Sequence, residues 1–260
     1  MAYEHILFEE ADGVVTLTIN RPGVLNALSF QTLQELTQAV DRIRDDGTAR
    51  ALLLTGAGRA FCSGADLSGG NSGAPHDMGA GLELYFNPLL ERLRRLPVPF
   101  ITAVNGAAAG GGCGYALAAD IVVAARSAYF LQPFANIGLV PDVGATWLLP
   151  RLAGRARATA MMLLGERIPA ETALEWGMIY QVVDDAALMP TARAIAGKLA
   201  AGPTVAYGLM RQGINASMEM SLTESLALEA VNQGIAGRTA DHAEGVAAFL
   251  AKRKPVFRGC

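Results

Sequence analysis

The chain has 260 residues, 52% of them hydrophobic and 17% charged, with a formal net charge of −3. That length gives one large domain, or a core plus a helical appendage, able to bury a substantial interior. The charge excludes a general basic field for nucleic acid, and no apolar run approaches the roughly 20 residues of a membrane span. So much apolar sequence with so little charge favours buried subunit interfaces as well as a core. Met1 to His5 lacks the basic and apolar regions of a signal peptide. Cys62, Cys113 and Cys260 are too widely spaced for a disulfide framework, which points to a reducing cytoplasm. His5, His76 and His242 are scattered without metal-ligand spacing, so no metal is expected.

Asp12-Gly13 between Ile6-Leu7-Phe8 and Val14 to Ile19 is a hairpin signal. Ser29 reads as an N-cap, and Phe30 to Arg44 places Leu33, Leu36, Val40 and Ile43 on one helical face. Asp46-Gly47 ends that helix. Strand, helix and strand then recur over Ala51 to Thr55, Leu82 to Leu96 and Phe100 to Val104, with a further strand at Asp120 to Ala124. This alternation predicts parallel βαβ units. Ser68 to Gly81, rich in Gly, Ser, Asn and Pro, reads as a loop that either covers a site or runs passively over the surface. Beyond Pro141 the chain is mostly helical. Segments 142–152, 155–164, 170–176, 187–200, 203–217, 222–235 and 240–252 are punctuated by Gly154, Gly165, Gly177 and Gly202. We divide the chain into a core over 1–200 and a helical C-terminal region over 201–260. Periodicity alone supports only an α/β class followed by helices.

Two glycine-rich stretches follow apolar runs. Ala60-Phe61-Cys62-Ser63-Gly64-Ala65-Asp66-Leu67 comes after Ala51 to Leu54. Asn105-Gly106-Ala107-Ala108-Ala109-Gly110-Gly111-Gly112-Cys113-Gly114 comes after Phe100 to Val104. Bare backbone lets amide N–H groups approach a ligand, and a glycine run opening a helix presents unpaired donors. Two such sites converging on one oxygen form an oxyanion hole, each donor contributing about 3 kcal/mol to a transition state. A phosphate loop is disfavoured, because Cys113-Gly114 is not the Lys-Ser or Lys-Thr pair that chemistry needs. A dinucleotide fingerprint belongs in the first strand-turn-helix unit, and these glycines lie mid-chain. A plain tight turn stays open on physical grounds.

Asn20-Arg21-Pro22, Asn26-Ala27-Leu28, Phe61 to Leu67 and Asn105-Gly106 with Gly110-Gly111-Gly112 occur in order. This ordered set resembles the crotonase (enoyl-CoA hydratase/isomerase) superfamily, from about Leu7 to about Phe257. The resemblance implies a spiral of β-β-α turns, a helical C-terminal trimerisation region, and an oxyanion hole for a thioester carbonyl. Its donors would be the N–H groups of Ala65 and Gly111. No separate cofactor is implied, because coenzyme A enters as part of an acyl-CoA substrate. The implied assembly is a homotrimer or dimer of trimers.

The side chains decide the reaction. Hydratases of this superfamily carry two glutamates; the matching positions here are Gly114 and Phe134. Losing both acid/base groups disfavours hydration, which must activate water at one carbon and protonate the next. Asp142 remains near the expected site. On residues alone it is either a helix N-cap after Pro141 or a carboxylate desolvated by apolar neighbours. An acidic residue there resembles isomerases and chlorobenzoyl-CoA dehalogenases. One carboxylate suits an isomerase, taking a proton α to the thioester and returning it at the γ carbon. In a dehalogenase or hydrolase it would attack as a nucleophile.

Segments 53–59, 124–128, 146–151, 175–179 and 249–253 are similar to the epoxyphenylacetyl-CoA isomerases of phenylacetate catabolism. The expectation is therefore an acyl-CoA isomerase acting on epoxyphenylacetyl-CoA or a 3-enoyl-CoA. The alternatives are an enoyl-CoA hydratase of fatty-acid β-oxidation and a non-catalytic acyl-CoA-binding subunit. Tyr115 and Phe134 depart from the pattern and would reshape the acyl pocket. Tyr85, Phe86 and Tyr129 are either pocket or core. The resemblance places the CoA moiety on backbone around Gly23, Val24 and Leu25 and around Ser63, Gly64, Asp66 and Leu67. Phe249 and Lys252 match positions that meet the CoA nucleotide, often in a neighbouring subunit. Lys252 is a sensible phosphate partner or simply a solvated basic helix end.

Overall fold

The computed structural model describes residues 3–67 and 77–260. Asp12 (φ 51°) and Gly13 (φ 75°) turn β1 (Ile6–Ala11) back onto β2 (Val14–Ile19), with Ala11 opposite Val14. Positive φ at both central residues matches the right-handed twist of the two strands. Ser29 caps α1 (Phe30–Asp46), its Oγ accepting from the Thr32 N–H at 3.2 Å, and Gly47 at φ 63° ends the helix. Leu33, Leu36, Val40 and Ile43 are buried as their spacing predicts.

From α1 onward the chain winds as a spiral, laying one strand of each turn in each of two sheets. β3 (Ala51–Gly56), β5 (Phe100–Val104), β7 (Ile121–Ala125) and β10 (Gln181–Val183) complete a six-stranded sheet ordered β1-β2-β3-β5-β7-β10. β4 (Ala60–Cys62), β6 (Ala107–Ala109), β8 (Tyr129–Leu131) and β9 (Ile168–Pro169) form a four-stranded sheet in that order. The β1–β2 and β8–β9 pairs are antiparallel, and the pairs between them are parallel. Helices close each turn. α2 (Met78–Gly81), a π-turn over Leu82–Phe86 and α3 (Asn87–Arg95) run as one rod before β5. α4 (Gly111–Leu117) joins β6 to β7, and α5 (Ala145–Ala153) and α6 (Arg155–Leu164) follow β8. This is the β-β-α crotonase spiral that the resemblance implies. Leu52, Leu53, Phe61, Phe100, Ile101 and Phe130 are fully buried at its centre.

α7 (Ala170–Glu175) precedes β10, and α8 (Leu188–Ala200) packs across β3, β5 and β7. Its buried stripe of Ala192, Ala196 and Ala200 lets the helix approach the sheet closely. α9 (Thr204–Ser217), α10 (Leu222–Ala236) and α11 (Ala240–Leu250) complete the chain. Arg50 anchors this region to the start of β3, donating to Thr204 Oγ1 at 3.0 Å and to the Phe257 carbonyl at 3.2 Å. Buried Asp241 holds the tail, accepting from the N–H groups of Arg258 (2.6 Å) and Gly259 (2.8 Å). These three helices nevertheless leave Ile214, Leu222, Val231, Phe249 and Leu250 exposed. Among the described residues no helix is long and apolar enough to cross a membrane.

Several boundaries differ from the sequence reading. The whole four-stranded sheet and β10 lack a sequence signal, because strands of two or three residues are too short to show a period of two. Of the expected loop over Ser68 to Gly81, 68–76 lies outside the described residues, and Met78–Gly81 is helical with Asp77 as its cap. Asp120 stands outside β7: its carboxylate accepts from the Phe100 N–H (2.7 Å) and Arg211 Nε (2.5 Å). The helix expected from Asp142 starts at Ala145 with Gly144 at its cap, so Asp142 does not cap it.

Candidate active site

The site is built on a zipped pair of segments. A short 3₁₀ turn over Pro22–Val24 is followed by Leu25 (φ 53°) and Asn26 (φ 59°) in left-handed conformations. Asn26 is fully buried and acts as the rivet. Its Oδ1 accepts from the Arg21 N–H at 2.9 Å, and its Nδ2 donates to the carbonyls of Ala57 (2.9 Å) and Ala60 (2.7 Å). Across the seam, the Ser63 N–H donates to the Leu25 carbonyl at 3.1 Å and the Leu28 N–H to the Gly64 carbonyl at 2.8 Å. Arg21 Nη1 pairs with Asp66 Oδ2 at 2.9 Å, the carboxylate being 4% exposed. The Asp66 side chain therefore holds the loop. Gly23, Val24 and Leu67 are exposed along the outer edge of the same seam, and Ser63 is half-buried beside them.

The two glycine-rich stretches meet. Gly64 has φ 98°, and a Cβ there would lie 3.1 Å from the Ala109 carbonyl oxygen and 3.7 Å from Gly110 Cα. A Cβ on Gly110 (φ 52°) would lie 3.7 Å from Gly64 Cα and 3.6 Å from Phe134 Cζ. Glycine is needed at both positions for conformation and for the close approach. The parallel bridge Leu28–Ala65 uses the Gly64 carbonyl and the Asp66 N–H (3.0 Å to the Leu28 carbonyl), so it passes over the Ala65 N–H. Gly111 opens α4, where an N–H has no acceptor four residues back. Among the described residues neither N–H has a backbone partner.

Asp142 comes to this junction from the loop before α5. Its Oδ1 lies 3.7 Å from where a Gly111 Cβ would be. That oxygen is buried and without a hydrogen-bond partner among the described residues. Burial pushes the carboxyl up to about 6, opposed by its own backbone N–H. A group that titrates near neutrality can both accept and return a proton. The carbonyl of Asp142 accepts from the Ala145 N–H at 2.9 Å, which leaves the side chain outside the helix-capping role.

Apolar groups dry this carboxylate. Phe86 Cε1 and Val143 Cγ2 lie 3.7 Å and 3.0 Å from the same Gly111 Cβ position. Tyr115 is buried and donates through its hydroxyl to the Phe86 carbonyl at 2.9 Å, fixing the end of the π-turn. It thus acts on the pocket through Phe86. Tyr85 stacks on Phe30 with ring centroids 4.1 Å apart, while Tyr129 lies under Arg167 on β8. Phe134 is buried against Gly110. Cys62 and Cys113 are fully buried, and desolvation raises both thiols to about 12, so neither is a ready nucleophile.

Ala65, Gly111, Asp142, Ser63, Gly64, Asp66, Leu67, Gly23, Val24, Leu25 and Phe134 thus belong to one connected region. Phe249 and Lys252 are carried separately by α11 and the turn after it. Phe249 lines a groove with Pro203, Ala206 and Phe257. Sequence reasoning missed Val143 and Asn26. Asn-Ala-Leu in the ordered motif marked Asn26, but its polar type gave no hint of a buried rivet.

The fold and site define an acyl-thioester-processing class, and comparison with known proteins agrees. Residues 9–260 match the family model described as enoyl-CoA hydratase/isomerase, and the chain belongs to that family. It is 51% identical to 1,2-epoxyphenylacetyl-CoA isomerase of Escherichia coli K12, over 98% of this chain and 99% of the relative. It is 46% identical to a protein named "Probable enoyl-CoA hydratase" from Rhodobacter capsulatus, over 100% of both chains. The crystal structure of an enoyl-CoA hydratase from Bacillus anthracis superposes with a TM-score of 0.94 at 33% identity, covering 99% of this chain and 100% of that one.

Proposed function

We propose that the protein is an acyl-CoA isomerase in which Asp142 moves a proton from the α to the γ carbon of the acyl group. The observation that carries this reading is the buried Asp142 Oδ1 beside Gly111, without a hydrogen-bond partner among the described residues, in a chain with Gly114 and Phe134 where hydratases hold glutamates. The thioester carbonyl oxygen would accept from the Ala65 and Gly111 N–H groups. Asp142 takes the α proton, and the two amides stabilise the resulting enolate oxygen. The conjugate acid of Asp142 then gives the proton to the γ carbon, so no second acid is required.

The substrate would be 1,2-epoxyphenylacetyl-CoA or a 3-enoyl-CoA, the first supported by the name of the relative at 51% identity. Backbone around Gly23, Val24, Leu25 and Ser63 to Leu67 would hold the CoA moiety, with no separate cofactor. The exposed apolar faces of α9, α10 and α11 support a homotrimer or dimer of trimers assembled through 201–260. In that assembly Phe249 and Lys252 would reach the CoA nucleotide of a neighbouring subunit. The protein would work in the cytoplasm.

NMR in heavy water with a 3-enoyl-CoA, wild type beside Asp142→Ala, tests the reading. The expected result is conversion to the conjugated 2-enoyl-CoA, with deuterium at the γ carbon only to the extent that the proton on Asp142 exchanges with solvent before transfer, and the conversion is lost in the variant while binding persists. Hydration of a 2-enoyl-CoA supplied directly, with the 3-enoyl-CoA left unchanged, would favour a hydratase. Binding with neither turnover nor deuterium uptake would favour a binding subunit.

A further inference from the structure

We propose that Val143 and Gly114 form a positioning pair that fixes the Asp142 carboxylate at Gly111. The inference rests on the reading of Asp142 as the proton carrier, and deepens it by naming what aims that group.

Val143 has φ 46° and is 1% exposed. A β-branched residue in the left-handed region is a true outlier, and it persists only where its surroundings over-determine it. The surroundings are the glycine floor of α4. Val143 Cγ2 lies 3.0 Å from the Gly111 Cβ position. One turn along the helix, a Cβ on Gly114 would collide with the Val143 carbonyl oxygen and stand 2.9 Å from Val143 Cβ. Gly144 (φ 71°) continues the left-handed turn, and the Ala145 N–H closes it onto the Asp142 carbonyl at 2.9 Å. Valine here is thus clamped between two glycines of one helix face, and its neighbour Asp142 is delivered to the third contact on that face.

A side chain at 114 would start in the volume that the Val143 backbone fills, so it would have to displace the loop that carries Asp142. The titratable neighbour is Tyr115 on α4, buried and raised first by desolvation. Among the described residues no charged side chain contributes to the Asp142 shift. The seat alone therefore keeps the carboxylate dry.

Val143→Gly relieves the backbone strain, so the variant is expected to fold, yet it removes the clamp. The test is the carboxyl titration of Asp142 by carbon NMR in the full-length protein, together with kcat and KM. In Val143→Gly the midpoint should fall from about 6 toward the ordinary carboxylate range, and kcat should drop about tenfold to 100-fold with KM little changed. Gly114→Ala should do the same by pushing on the Val143 backbone, and the double variant should lose less than the sum of the singles, because both displace the same loop. Val143→Ala replaces Val143→Gly should the latter unfold. An unmoved midpoint with unchanged kcat, or strictly additive losses, would overturn the pairing. The titration needs no turnover. An active Asp142→Asn variant would sink the catalytic reading, whereas the midpoint still reports whether Val143 seats the carboxylate.

Discussion

Replacing Asp142 by asparagine should stabilise the folded protein at neutral pH while abolishing turnover. The carboxyl rises from 3.8 to about 6 on folding because it is desolvated. At 1.36 kcal/mol per unit, ionising it in place costs the folded state about 3 kcal/mol. Below pH about 4 both folded and unfolded chains hold the proton, and the cost is absent. Between about pH 4 and 6 the unfolded chain releases its proton and the folded chain keeps it, so stability falls as pH rises. Above about pH 6 the folded chain bears the full cost. Asparagine cannot titrate. Urea denaturation of both proteins at matched concentration, from pH 4 to 8, should therefore show a gap that opens in favour of the variant and levels off near pH 7. Matched concentration matters because subunit assembly is linked to stability. A gap that stays constant across the range would refute the claim that this carboxylate is dry. The activity should run the other way: kcat/KM falls below about pH 6, as the base becomes protonated.

Three further substitutions probe the scaffold. Gly112→Ala places a Cβ 2.6 Å from both the carbonyl oxygen and Sγ of Cys62; since backbone cannot yield as a side chain tip does, a loss of about 1–3 kcal/mol is expected in denaturant melts. Arg21→Ala removes the cation 2.9 Å from the buried Asp66 carboxylate and should destabilise the protein by up to about 3–5 kcal/mol, with part regained by adding Asp66→Asn; equal stability of the single and double variants would contradict the pairing. Tyr115→Phe deletes the 2.9 Å bond to the Phe86 carbonyl and should cost about 1 kcal/mol. It should also change the kcat/KM ratio between aromatic and straight-chain acyl-CoA substrates, measured side by side; an unchanged ratio would remove Phe86 from the acyl wall.

Much of this protein is readable along the chain, because the relevant physics is local. Asp12-Gly13 sets a hairpin, Ser29 and Gly47 bracket a helix, and the glycine stretches mark where backbone must come bare to a ligand. The ordered motifs identify the family, and the Gly114 and Phe134 substitutions narrow the chemistry before any coordinate is seen. The four-stranded sheet is another matter: its strands take their partners from far along the chain and are too short to carry a period of their own. Asp142 shows the division most clearly. In sequence, an acid after proline and before a helix satisfies the rules for an N-cap as well as those for a base. Its place beside Gly111 and outside the helix cap is decided by the start of α5 at Ala145 and by the left-handed Val143 packed against Gly114. Residue type and spacing set what the chain could do. Desolvation and aim depend on groups brought together from the Leu82–Phe86 turn, α4 and the 141–144 loop, and only the tertiary structure supplies those.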